Sequence, residues 1–230
     1  IAARGIARER IELIPNGCHL DVFGSREATG WRPTTVRADD LLALFAGAHG
    51  EANGLDAVLD AAAVLQRRGR TDIKLLLIGE GKQKDRLVRR AQDEGLRNIV
   101  FHQPVDKVKL TGLFSAADIG MQILANVPAF YYGTSPNKFF DYLAAGLPVL
   151  NNYPGWVAEL ITEHDAGIAV PPEDPEAFAD ALEGFAAGPH RRRAMGRHAR
   201  RLAEQKFNRD LQAERFVNVL ERVAHGEAAI

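Results

Sequence analysis

Runs of Leu, Ile and Val at residues 41–46, 73–78, 98–102, 118–123, 148–151 and 167–170 alternate with helical periods at 55–67, 84–94, 108–116, 137–145 and 157–163. No other feature of the chain constrains its fold as much. The apolar runs are too continuous for strands with one wet face, so they read as strands buried on both sides. Strand and helix in regular turn predict an α/β fold, a parallel sheet covered by helices on both faces. The alternation stops near residue 174, beyond which 175–187, 191–207 and 211–223 read as three consecutive helices. Gly188-Pro189 separates the first two. The polar stretch 24–40 is expected to be an exposed connection. With no internal repeat, 1–230 reads as one domain with a lead-in over 1–23 and a helical tail over 175–224.

Composition narrows the function. The 29 Lys and Arg nearly balance the 30 Asp and Glu, which argues against a dedicated nucleic-acid or anionic-membrane binder. The apolar share of 46% is enough for a sizeable core. Cys18 is the only cysteine, so neither an intramolecular disulfide nor a cysteine zinc site can form, and a reducing compartment, the cytoplasm, is the default expectation. No stretch reaches the roughly 20 apolar residues of a membrane span. The chain opens without Met and reaches a strand-like Ile11-Glu12-Leu13-Ile14 at once, so a further amino-terminal part is expected to precede it.

In parallel sheets of this kind ligands sit beyond the carboxyl ends of the strands. Three loops there carry unusual residues. In Gly133-Thr134-Ser135-Pro136-Asn137-Lys138, Ser135 is expected as helix cap and Pro136 as first helical residue. Lys138 then falls in the first turn, where the helix dipole disfavours a cation by a few tenths to about 1 kcal/mol. An anion docked on the free amides of Thr134, Ser135 and Asn137 would offset that penalty. Asp141 lies three residues on, and the bland alternative is a surface Lys138–Asp141 pair. The second loop carries Gly47, Gly50 and Gly54 with His49 and Asn53; its glycines allow close backbone approach, by a ligand or simply in a tight turn. The third, Gly79-Glu80-Gly81, suggests a dinucleotide motif but lacks the third glycine, and the next strand does not end in an acidic residue, so a dehydrogenase is disfavoured. There is no Walker A sequence, no Gly-x-Ser-x-Gly elbow and no histidine pair at metal-ligand spacing, and no metal site is expected. Phe130, Tyr131 and Tyr132 could flank a sugar or anchor their loop. The arginine cluster from Arg191 to Arg201 could touch phospholipid headgroups, but Glu173, Asp174, Glu176, Asp180 and Glu183 precede it, so a charge-balanced, solvated face is expected.

A series of motifs carries a resemblance: Ile14-Pro15-Asn16-Gly17-Cys18-His19-Leu20-Asp21-Val22-Phe23, Gly79-Glu80-Gly81, Val100-Phe101-His102-Gln103-Pro104-Val105, Ala116-Ala117-Asp118, Ala144-Ala145-Gly146-Leu147-Pro148-Val149 and Val170-Pro171-Pro172-Glu173-Asp174-Pro175-Glu176. In this order and spacing they resemble the carboxy-terminal, donor-binding half of GT-B glycosyltransferases, in particular the retaining group numbered family 4. The resemblance implies a Rossmann-like domain that holds a nucleotide sugar, with UDP as the expected nucleotide, while the missing amino-terminal half carries most of the acceptor site. Two glutamates eight positions apart flank the donor loop in that family. The second maps to Asp141, which can bind the ribose hydroxyls, and the first to Gly133, which has no side chain. The family's diphosphate-gripping Arg and Lys map to Ala48 and Asn53. The run from Gly133 to Lys138 also resembles a bacterial surface-polysaccharide subgroup, the WbuB-like amino-sugar transferases.

These departures leave two readings. In the first, Lys138 and the amides of 134–137 take over the diphosphate, His49 and Asn53 reach the donor sugar, Gly47 lets the donor approach, and the loops of Gly79, Gly81, Gln103 and Val105 pack around the base. The activity is then transfer of a sugar from a nucleotide diphosphate to a hydroxyl acceptor with retention, in bacterial polysaccharide synthesis, on a lipid-linked glycan and at the inner membrane periphery. In the second, the domain is a noncatalytic nucleotide-sugar module. A nucleotide-sugar epimerase of the same fold is a further alternative.

Overall fold

A computed structural model describes residues 2–23 and 30–225. Six strands, β1 (Leu41–Ala46), β2 (Ile73–Ile78), β3 (Ile99–His102), β4 (Ile119–Gln122), β5 (Val149–Asn151) and β6 (Gly167–Ala169), form one parallel sheet in the order β3-β2-β1-β4-β5-β6. All six lie within the apolar runs of the sequence. The helices are α1 (Asp56–Arg67), α2 (Lys84–Asp93), α3 (Lys107–Ala116), α4 (Pro128–Gly133), α5 (Asn137–Ala144), α6 (Trp156–Glu163), α7 (Pro175–Ala187), α8 (Pro189–Lys206) and α9 (Arg209–Ala224).

Side chains alternate across the sheet, and each face has its own core. Ala43 and Phe45 of β1 pack with Leu59 of α1 and Phe178 and Leu182 of α7. Leu42 and Leu44 point the other way, to Phe139, Phe140 and Tyr142 of α5 and Leu202 of α8. The continuous Leu-rich runs thus serve two cores at once. Tyr142 also tethers the end of β1, its hydroxyl accepting from the Ala46 amide at 3.0 Å. Its ring fits only because residue 120 is glycine: a Cβ there would lie 2.4 Å from the ring. Gly120→Ala should therefore cost about 2–3 kcal/mol of stability, read as a lowered urea midpoint.

Three expectations need correction. Residues 11–14 form no strand; the sheet ends at β3 and β6, no strand edge pairs with this segment, and Leu13 is 85% exposed. The described part of the polar stretch, residues 30–40, is no exposed connection throughout. Val36 and Asp40 are buried, and Arg32 donates to the carbonyls of Ala116 and Asp40 and pairs with Asp118, which also binds Arg192 and the Leu42 amide. Residues 24–29 lie outside the described residues. Finally, the α7 acids do not balance the α8 arginines. Glu176, Asp180 and Glu183 pair with Arg67, Arg68 and Arg70 at the end of α1, because α7 packs along α1, while Asp174 caps α7 through the Ala177 amide.

The lead-in and the tail meet in a parallel bridge between Cys18 and Asn208, with Cys18 N donating to Phe207 O at 2.8 Å and Arg209 N to Cys18 O at 3.0 Å. Beyond it α9 buries only Gln212 and leaves Phe216, Val217, Leu220 and Val223 exposed. Among the described residues no helix is long and apolar enough to cross a membrane.

Candidate functional site

The strand order places β1 beside β4, and the chain leaves their carboxyl ends toward opposite faces, to α1 on one and α5 on the other. A crevice at such a switch point is where ligands bind in this class of sheet. Lys138 reaches into it from the first turn of α5. Its side chain lies over Gly47, where a Cβ would be 2.9 Å from Lys138 Cε. The ammonium donates to Asn53 Oδ1 at 2.9 Å and sits 4.7 Å from the centroid of the Phe45 ring. Asn53 Nδ2 is held by the Ala48 carbonyl at 2.8 Å, so the amide is oriented with its oxygen toward the lysine. No carboxylate pairs with Lys138 among the described residues, and burial lowers its pKa to about 8. An ammonium has three protons to donate, and Asn53 is its one protein acceptor among the described residues.

Asp141 lies one turn on and forms no pair with Lys138, so the bland ion-pair reading does not describe this lysine. Burial raises the Asp141 carboxyl to about 6, against the pull of Lys107 and Arg209. The helix begins one residue later than the cap motif predicts: Asn137 is its first residue, Pro136 occupies the cap position with extended backbone, and Ser135 makes no cap bond. Tertiary contacts override the local motif here. The Ser135 carbonyl accepts from Asn16 Nδ2 at 3.0 Å, the same amide lies 3.2 Å from Asn137 Oδ1, and the Thr134 carbonyl accepts from Trp156 Nε1 at 2.8 Å. With no side chain capping α5, its leading amides, those of Asn137 and Lys138, are free to meet an anion, whereas the Thr134 amide expected to join them donates to the Phe130 carbonyl at 3.3 Å.

His49 lies elsewhere than the sequence reading placed it. Its ring has no solvent exposure, lies between Phe45 and Phe101 at 6.2 and 6.3 Å, and finds no partner for either nitrogen among the described residues. Burial, with Lys84 nearby, holds its pKa below the usual histidine range. Gly79 and Gly81 close over this loop. A Cβ on Gly79 would stand 1.9 Å from the Gly47 carbonyl oxygen, and one on Gly81 2.5 Å from that of His49. Their freedom from side chains serves loop against loop. Gln103 and Val105 follow β3, which β2 separates from β1, so they share the edge with Lys138 but not its immediate surroundings.

The aromatic run forms α4, a helix that periodicity did not reveal because it has only six residues. Tyr131 stacks on Tyr153 and hydrogen-bonds Asn126, Tyr132 reaches Glu159, and Gly155 makes room for the Tyr131 carbonyl. These contacts anchor the loop. Gly133 ends it facing open space, with nothing within 4 Å of where a Cβ would lie. Sequence reading missed Asn16 as a support of the α5 start and Arg209 and Lys107 as cations near Asp141. Only Asn16 had a signal, its Pro-Asn-Gly setting.

Residues 31–202 match the family described as glycosyl transferases group 1. The chain belongs to this glycosyltransferase family. Among curated relatives it is 30% identical over 210 residues to the D-inositol 3-phosphate glycosyltransferase of Paenarthrobacter aurescens, covering 87% of this chain and 49% of that one. This glycosyltransferase chain thus spans about half the length of the curated relatives it matches. In fold it is similar to the sucrose-phosphate synthase of Thermosynechococcus elongatus, with TM-score 0.78 and 22% identity over 94% of this chain and 53% of that one. It is also similar to Anabaena HepE crystallised with UDP-glucose, with TM-score 0.76 and 16% identity over 96% and 60%. Its architecture is that of one half of a GT-B enzyme.

Proposed function

We propose that this domain holds a nucleotide diphosphate sugar, with UDP as its nucleotide, and that the whole enzyme transfers the sugar to a hydroxyl acceptor with retention in bacterial polysaccharide synthesis. The observation that carries the reading is Lys138: a half-buried ammonium without a carboxylate partner among the described residues, beside an uncapped helix start, at the switch point of the sheet. Burying a cation this way is costly unless an anion arrives. A diphosphate suits the arrangement, taking the ammonium on one oxygen and the Asn137 and Lys138 amides on others. Negative charge grows there as the sugar leaves, and donors already in place stabilise it as an oxyanion hole does. Asp141, on the same helix, accepts the ribose hydroxyls. Asn53 orients the lysine, Gly47 gives it room, and we assign His49, Gly79 and Gly81 to holding that loop in shape.

The fold neighbour HepE holds UDP-glucose in its crystal, which supports the choice of nucleotide. We assign the acceptor to the rest of the protein and place its contact with this half on the apolar face of α9. The single cysteine, buried and free, suits a cytoplasmic setting. Gly133 favours a second reading, a noncatalytic sensor, because no side chain stands where the family carries its first glutamate. Acceptor-dependent sugar release by the complete enzyme separates the two.

Calorimetric titration with UDP, GDP and NAD tests the site. UDP should bind, and Lys138→Ala should weaken it by at least about tenfold, the worth of a charge-assisted hydrogen bond. Asp141→Ala should weaken it about fivefold. UDP affinity unchanged in both variants removes the site from this crevice.

A further inference from the structure

The near-zero net charge of the chain hides a local separation. α8 buries Met195, Gly196, Ala199, Leu202 and Ala203 against the domain. At 100° per residue, Arg193, Arg197 and Arg201 stand on the opposite side in one stripe, with His190 before them. All three arginines are exposed, as is Arg191 beside them. The neighbouring arginines that the fold employs are different ones: Arg192 pairs with Asp118, and Arg200 with Glu204 and three backbone carbonyls. Among the described residues no acid pairs with Arg191, Arg193, Arg197 or Arg201, since the α7 carboxylates that precede them in sequence are committed to Arg67, Arg68 and Arg70. Arg193 contacts only the ring of His190, at 3.1 Å.

We propose that the outer face of α8 docks on a bilayer surface rich in anionic lipid headgroups. From His190 to Arg201 the stripe runs about 16 Å along α8, at 1.5 Å per residue. Such a face meets a flat array of phosphates with all its guanidinium groups at once. It has neither the groove nor the aromatic platforms by which single-stranded nucleic acid is held, as no aromatic residue stands among these arginines. The surface is built from α8 alone and shares no residue with the Lys138 crevice, so it stands or falls separately from the nucleotide reading. Docked this way, a bilayer would hold the domain next to any acceptor carried on a lipid.

Flotation with phosphatidylcholine vesicles, with and without phosphatidylglycerol, tests this on the whole protein. The protein should float with the phosphatidylglycerol vesicles only, and added salt should release it. Arg193→Glu with Arg197→Glu should lower the vesicle partition coefficient by at least about twenty-fivefold, since each basic group near such a surface is worth about fivefold and the new carboxylates add repulsion. Arg89→Glu with Arg97→Glu, the same change of net charge elsewhere on the surface, should leave vesicle binding within about threefold. Thermal midpoint and UDP affinity should be unaltered in both variants, which shows that fold and crevice are intact. The proposal is overturned if the protein ignores phosphatidylglycerol, if both pairs of substitutions reduce binding alike, or if the α8 pair abolishes binding of a single-stranded RNA oligomer while vesicle binding persists.

Discussion

Lys138→Ala in the complete enzyme is expected to lower turnover by on the order of 100-fold or more, since a single preorganised donor to a developing oxyanion is worth roughly 3–4 kcal/mol. Less than a threefold change would remove Lys138 from the mechanism. The pH dependence follows from burial. The free lysine titrates near 8, and an anion binds its protonated form, so UDP affinity should fall as pH rises through about 8, by up to about tenfold per unit. Binding near that pH should also take up protons, visible as a calorimetric enthalpy that varies with the buffer's ionisation heat. In Lys138→Ala this limb disappears.

The same burial makes a stability prediction of opposite sign. The Lys138 pKa lies below its usual 10.5 in the folded chain, so between about 8 and 10.5 the unfolded chain binds the extra proton and stability rises with pH. Below about 8 the cost of burying the charge is present in full. Lys138→Met keeps most of the side-chain volume and removes the charge, and should raise stability at neutral pH by about 1–2 kcal/mol after allowing for the lost contacts to Asn53 and Phe45. A gain in stability together with a loss of UDP binding would mark a residue retained for its ligand rather than for the fold.

How far the sequence reveals such a site depends on how local each contact is. The strands and all helices but α4 were legible because burial on two faces writes Leu, Ile and Val continuously, and one-sided burial writes a period near 3.6. α4 has six residues and too little length for a period. The segment 11–14 has strand composition, but strands need a neighbouring edge, and composition does not say where the edges are. Ser135 is a good cap by residue type and lost that role to a contact 119 residues away, the Asn16 amide on its carbonyl. The lysine's partner was no easier to read. Family resemblance singles out Asn53, and nothing across the separation of 85 residues announces that its oxygen orients Lys138. The charges behaved likewise: the α7 acids face α1 because of packing, whatever their nearness in sequence to the α8 arginines.

Gly79→Ala carries the second large effect, and it acts on the site from below. Gly79 has φ of +146° and points where a Cβ would stand 1.9 Å from the Gly47 oxygen and 2.9 Å from its carbonyl carbon. The obstacle is backbone, so no side-chain rotation relieves it. Either the Gly79 loop or the Gly47 loop must move, at a cost of about 3 kcal/mol or more from strain and lost packing together. Movement at Gly47 reaches Lys138 directly, because the lysine chain lies on that glycine and its ammonium is set by Asn53 in the same loop. The variant should therefore lose UDP affinity by more than about tenfold even under conditions where circular dichroism shows it folded. Gly133→Ala is the matched control, since a Cβ there meets nothing within 4 Å, and its stability should change by no more than about 0.5 kcal/mol. If Gly79→Ala bound UDP normally while folded, the two glycine loops would not be the floor of the site, and Lys138 would owe its position to α5 alone.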